Sequence, residues 1–175
     1  MRFLEHRRHS RRDPLGVRLT PDGVALAREV GRTVGRFDRV ETSPKPRAVE
    51  TAVALGFAVD RELPALEGLP DEVEVRVNAA HPRSFAEYAA LVQRSGTVAR
   101  FGTAQADLWK QELLGVPDGG RLLLVSHGGV IEVGAVSAVP ALGETGGPAL
   151  GYLEGVRLSL DGERWTAGAV VRVTR

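Results

Sequence analysis

Two of the four histidines in this chain stand in settings suited to phosphoryl chemistry. His9 lies in the run Arg8-His9-Ser10-Arg11-Arg12-Asp13-Pro14. Guanidinium groups on both sides disfavour imidazolium, so the ring stays neutral and nucleophilic at neutral pH. The same planar guanidinium forks bind phosphoryl oxygens bidentately. An imidazole nitrogen attacking a phosphate held by arginines is the chemistry this combination suggests. Read by composition alone, the run is more often a solvated basic loop after an edge strand, since charged clusters are usually surface.

His127 supplies a second reason to read function here. It follows the apolar run Leu122–Val125 and precedes Gly128-Gly129, where backbone amides can approach an anion closely. A lone strand-end histidine is more often structural. Two at equivalent strand ends, one among arginines, point to a site. Ser43-Pro44-Lys45-Pro46-Arg47 adds a third cation, Arg47, in the first turn of a helix where the dipole is positive. Taken alone, Arg47 reads as a surface contact.

These groups need a scaffold that delivers them to one place. Arg2–Glu5 begins a short strand. Thr20 can cap a helix with Pro21 and Asp22 in its first turn, and Val24, Leu26, Ala27, Val30 and Val34 recur near helical spacing. Phe37–Glu41 fits a second strand. A second helix starts near Ser43-Pro44, with Ala48, Ala52 and Leu55 on one face. Residues 60–82 hold Pro64, Pro70 and Pro82 and show little periodicity, which reads as a long functional loop. Helices follow near 83–94 and 102–114. Arg121–Ser126 is the clearest buried strand, and a helix can start near Gly129. Leu153–Leu160 and Thr166–Val173 form a hairpin about Asp161-Gly162. Strand-helix alternation implies an α/β fold, a three-layer α/β/α sandwich with a mostly parallel central sheet. Sites of such sheets lie at the carboxyl ends of strands, where His9 and His127 both fall.

Composition bounds the rest. A chain of 175 residues, 43% hydrophobic and 26% charged, reads as one domain over 1–175, able to bury a core without staples. The absence of cysteine excludes thiol catalysis, disulfides and thiolate metal sites. A net charge of +1 argues against a nucleic-acid binder built on bulk basicity. No aromatic side chain interleaves the Arg7–Arg12 run, so base stacking has no platform there. The N-terminus is too charged for a signal peptide, and no apolar run approaches a membrane span, so a cytoplasmic protein without membrane contact is expected. The charge is nevertheless lopsided. Every basic residue except Lys45 and Lys110 is arginine, and six arginines fall in the first 18 residues against two acids.

Four motifs in order resemble the histidine phosphatase superfamily, the phosphoglycerate-mutase-like proteins. An opening strand ending in Arg-His-Gly stands here as Arg8-His9-Ser10. Leu-Thr-x-x-Gly is Leu19–Gly23. Ser-Pro-x-x-Arg-Ala-x-x-Thr-Ala is Ser43–Ala52, and Ser-His-Gly-Gly is Ser126–Gly129. The resemblance covers residue 2 to about 135. It implies that His9 is the nucleophile, forming a phosphohistidine without metal or cofactor. Arg8, Arg47 and His127 would surround the phosphate. Arg12 and Pro14 match the Arg-His-Gly-x-Arg-x-Pro version of the acid-phosphatase branch, with Arg11 a competitor for the same contact. Gly128 would line the phosphate.

Two departures stand out. Ser10 replaces the glycine after the nucleophile, which costs something if positive φ or close approach is needed there, unless its hydroxyl binds phosphate. Gly128 occupies the position where the acid-phosphatase branch carries an aspartate donor. The mutase-like branch instead takes a glutamate from the loop after the second helix; Glu67 fits that pattern best, with Glu72 and Glu62 as alternatives. The donor belongs on the leaving-group side, away from Arg8 and Arg47, because a carboxyl beside arginines is a poor acid. The resemblance therefore implies a phosphomonoesterase acting on a small phosphorylated substrate or a phosphoprotein. A phosphoglycerate-type mutase and a catalytically weak phosphate- or protein-binding member remain alternatives. The tail hairpin offers an edge for a homodimer.

Overall fold

A computed structural model describes residues 1–173. Six strands form one mixed, mostly parallel sheet in the order β3-β2-β4-β1-β5-β6. They are β1 (Arg2–Arg8), β2 (Arg39–Thr42), β3 (Arg61–Glu62), β4 (Arg121–Ser126), β5 (Gly155–Asp161) and β6 (Arg164–Val171). β1 to β4 run parallel to their neighbours within that group, and β5 and β6 add antiparallel pairings at one side. Seven α-helices connect and cover them: α1 (Pro21–Gly31), α2 (Pro46–Ala54), α3 (Asp71–Ala80), α4 (Phe85–Arg94), α5 (Gly96–Leu114), α6 (Val130–Ala138) and α7 (Leu142–Thr145).

The central strand explains the three layers. In β4, Leu122 and Leu124 join a core with Trp109, Leu113, Ile131 and Leu142, from α5, α6 and α7. The intervening Leu123 and Val125 join a second core with Ala27, Ala48, Ala52 and Leu55, from α1 and α2 and the turn after α2. Side chains alternate across a strand, so a run apolar at every position must be covered on both faces. Each fully buried leucine contributes about 1.5–3 kcal/mol.

α1 begins as its sequence dictates. Thr20 Oγ1 accepts from the Gly23 amide at 3.1 Å, with Pro21 in the first turn. Gly23 is required for contact rather than φ: a Cβ there would lie 2.1 Å from the Arg11 carbonyl oxygen. The second strand starts two residues later than Phe37, which instead packs edge-on against Phe57 at 5.3 Å. α5 begins at Gly96 rather than 102, because Ser95 caps it through the Val98 amide.

The segment 60–82 is not a long loop. It holds β3, a 3-10 turn at Pro64–Leu66 and helix α3. Pro70 precedes the helix, Asp71, Glu72 and Glu74 occupy its positive end, and Val73 and Val77 bury one stripe. The closing hairpin turns at Gly162-Glu163, with Asp161 paired to Arg164 and Gly162 at φ 57°. β3 and β6 are the sheet edges. No helix among the described residues is long and apolar enough to cross a membrane.

Candidate active site

β1 and β4 are adjacent and parallel, with Arg8 in register with Ser126. Their next residues, His9 and His127, therefore leave the sheet side by side. The two rings lie 5.3 Å apart, centroid to centroid. They line a cavity of about 440 Å³ with Arg8, Arg12, Arg47, Gly128 and Gly129.

His9 is held in one useful tautomer. Its Nδ1 donates to its neighbour's carbonyl, Ser10 O, at 2.7 Å, so Nε2 keeps the free lone pair. Burial, with Arg47, Arg8 and Arg12 adding to it, lowers its pKa to about 4 despite the opposing bond to Ser10. The ring is neutral at neutral pH, as a nucleophile must be. Burial also lowers His127, with Arg47 and then His9 adding to the effect. Its Nε2 lies 2.8 Å from Ser43 Oγ, whose hydroxyl accepts from the Lys45 amide at 3.2 Å and is free to donate to Nε2, leaving Nδ1 as the protonated nitrogen. Nδ1 of His127 has no hydrogen-bond partner among the described residues.

The arginines are braced rather than paired. Arg8 Nη1 donates to Leu150 O at 2.6 Å, and its Cζ rests 4.9 Å from the Tyr152 ring centroid. Arg12 Nη1 donates to Asp13 O and Pro14 O at 3.1 and 3.2 Å. Neither Arg8, Arg12 nor Arg47 forms a salt bridge among the described residues. Three like charges around one cavity, none of them salt-bridged among the described residues, make a strong site for an anion.

The remaining sequence candidates fall elsewhere. Ser10 is buried, and its hydroxyl donates to Gly23 O at 2.7 Å while its amide donates to Thr51 Oγ1 at 2.9 Å. It ties β1 to α1 and α2 and does not line the cavity. Its φ is not positive, so the glycine requirement does not arise. Arg11 lines a separate small hollow with Leu26, Gly151 and Glu154, because the chain alternates sides between Arg11 and Arg12. Glu67, just after the 3-10 turn, is exposed and lines an adjoining cavity of about 450 Å³ with Lys45, Phe101 and Gln105. Leu69 is common to both cavities. Glu62 lies on the edge strand β3, and Glu72 is exposed outside the cavity lining.

The carboxylates that do line the His9 cavity are Glu74 on α3 and Glu132 on α6. Glu74 is exposed and without a hydrogen bond or ion pair among the described residues; Asn78, one turn on, lines the same wall. Neither is a sequence candidate; Glu74 lies on α3, in a segment whose sequence shows little helical periodicity. Glu132 carried a signal, the Gly-x-x-Glu spacing of a capping box. Tyr152 and Ser43 acquire their places only through tertiary contact. No group of three or more His, Asp or Glu side chains among the described residues is placed to hold a metal ion.

Comparison with known proteins bears on the family and the fold. The sequence profile of the histidine phosphatase superfamily (branch 1) matches residues 4–170. No curated protein sequence matches the chain. Among solved structures, a phosphoserine phosphatase of Entamoeba histolytica, in complex with 3-phosphoglyceric acid, superposes with TM-score 0.71 at 17% identity, covering 99% of this chain and 98% of that one. A phosphoglycerate mutase of Bacillus anthracis str. Sterne gives TM-score 0.64 at 16% identity over 98% and 92%. A mycobacterial glucosyl-3-phosphoglycerate phosphatase gives 0.62 at 20% over 95% and 96%. At these identities the likeness is one of fold.

Proposed function

The chain belongs to the histidine phosphatase superfamily, and on that premise we propose that it hydrolyses phosphomonoesters through a phosphohistidine formed on His9. The observation that carries this reading is the free Nε2 of a neutral His9 facing a cavity lined by three arginines and His127.

In the first step Nε2 attacks phosphorus and the bond to the leaving oxygen breaks. Arg8, Arg12 and Arg47 neutralise charge on the equatorial oxygens as it is redistributed, and His127 adds a hydrogen bond. The leaving oxygen takes a proton from a carboxylic acid; Glu74 is the candidate, since Glu132 has both oxygens engaged by backbone amides. In the second step water loses a proton to the same carboxylate and attacks phosphorus. The bond to Nε2 breaks, releasing inorganic phosphate and restoring neutral His9. Glu67, in the adjoining cavity, reaches the leaving group only from a substrate that spans both spaces.

Hydrolysis is preferred here over mutase action because, among the described residues, the cavity lining adds Glu74, Asn78 and Pro82 to the three arginines and no further cation for a phosphoglycerate carboxylate. A screen over phosphorylated metabolites and a phosphoprotein, run beside His9→Ala, tests the proposal. Phosphate release lost in the variant supports it. Phosphate transfer between 2- and 3-phosphoglycerate without net release would replace it with the mutase.

A further inference from the structure

Glu132 is 1% exposed, three residues after Gly129. Its Oε2 accepts from the Gly129 amide at 2.7 Å and its Oε1 from the Leu150 amide at 2.9 Å. Capping α6 requires only the first bond. The second reaches a segment distant in sequence, and it leaves a buried carboxylate with no ion pair among the described residues, an arrangement that burial alone makes costly.

What that second bond organises is Arg8. Both backbone groups of Leu150 are used, its N–H by Glu132 and its carbonyl by Arg8 Nη1. Tyr152, two residues on, supplies the ring beside the Arg8 guanidinium. On the other flank Gly128 lies against the same group: a Cβ at 128 would sit 3.4 Å from Arg8 Cζ and Nε. The surfaces that enclose Arg8 thus belong to two segments, Gly128-Gly129 and Leu150–Tyr152, and Glu132 joins them.

We propose that Glu132 is a positioning residue for phosphate binding: it clamps the turn after His127 to the Leu150–Tyr152 segment and so holds the Arg8 guanidinium in place for the phosphoryl group. This rests on the reading of the His9 cavity as a phosphate site. No proton transfer is assigned to Glu132, whose two oxygens each accept from a backbone amide.

The test is a double-mutant cycle on binding of inorganic phosphate, measured by titration calorimetry. It uses wild type, Glu132→Gln, Arg8→Ala and the double variant, with circular dichroism to verify folding. Glutamine keeps the shape but turns an NH2 group toward one of the two amides. Each single variant should weaken binding about tenfold or more, and the double variant should bind within about twofold of Arg8→Ala. A general structural role for Glu132 would give losses that multiply, which overturns the inference. If Glu132→Gln does not fold, Glu132→Asp, which keeps the charge but is too short to hold both amides, completes the same cycle. A wild-type protein that binds no phosphate removes the phosphate-site reading and the clamp together, whereas wild-type binding with independent losses removes the clamp alone.

Discussion

His9 and His127 lie with ring centroids 5.3 Å apart because β1 and β4 are paired in parallel and end in register at Arg8 and Ser126. Sheet topology, not local sequence, makes them neighbours. The paired strands are separated in the chain by two helical layers' worth of sequence, yet they deliver one nucleophile and one hydrogen-bonding imidazole to the same cavity.

The orientation of His127 depends on Ser43, whose Oγ lies 2.8 Å from Nε2. Ser43→Ala leaves the ring in place but free to turn. The expected outcome is a fall in kcat of roughly tenfold with little change in KM, as for other residues that orient a catalytic imidazole. Steady-state kinetics on an aryl phosphate checks it. An unchanged kcat would show that packing alone sets the ring.

Glu74 and Glu67 make opposite predictions about the proton donor. Glu74 lines the His9 cavity and Glu67 the adjoining one. Glu74→Gln should lower kcat about 100-fold on an alkyl phosphate, whose alkoxide needs a proton. On an aryl phosphate with an acidic phenol the loss in kcat/KM, which reports transfer to His9, should nearly vanish, while kcat stays lowered because water still needs the carboxylate as base. Glu67→Gln should spare both small substrates. The reverse pattern would assign the acid to Glu67.

Burial holds His6 near pKa 3 and His9 near 4, and lowers His127 as well, from an ordinary 6.5. The unfolded chain therefore binds these protons at higher pH than the native state does. Stability should be fully present above about 6.5 and should fall as the pH drops through the interval down to about 4 and below, by up to about 1.4 kcal/mol per pH unit for each histidine. Urea unfolding across this range measures the slope, and His9→Asn should make it shallower. NMR titration of the His9 ring should likewise show it neutral at about pH 5.

Leu123 is fully buried in the core between β4 and the α1–α2 layer. Leu123→Ala should cost about 2–5 kcal/mol by denaturant unfolding, without moving the active-site strands' register. A loss well under 1 kcal/mol would mean that this layer collapses onto the cavity more readily than a close-packed core does.

The parts of this protein legible in its sequence are those written locally. The Leu122–Val125 run, the Thr20–Gly23 helix start and the Arg8-His9 and His127-Gly128 strand ends each carry their own signal, so the fold class and the His9–His127 end of the cavity are readable. Helix α3 could not, because prolines bracket it and its buried stripe is only Val73 and Val77. Glu74 lies on that helix and so carries no sequence signal of its own. Ser10 looked like a phosphate ligand because a hydroxyl next to a nucleophile has that chemistry; only the contact with Gly23 O shows it turned inward. Arg12 could not be separated from Arg11 until the side of the chain each occupies was known.

The central claim is covalent: a phosphoryl group passes to Nε2 of His9. The most direct measurement mixes the protein with a 32P-labelled phosphomonoester, quenches in base within the first turnover and maps the label by peptide mass spectrometry. The account predicts an acid-labile, base-stable phosphohistidine at residue 9, absent from His9→Ala. Turnover that persists in His9→Ala, with no label on the wild-type protein, would contradict it.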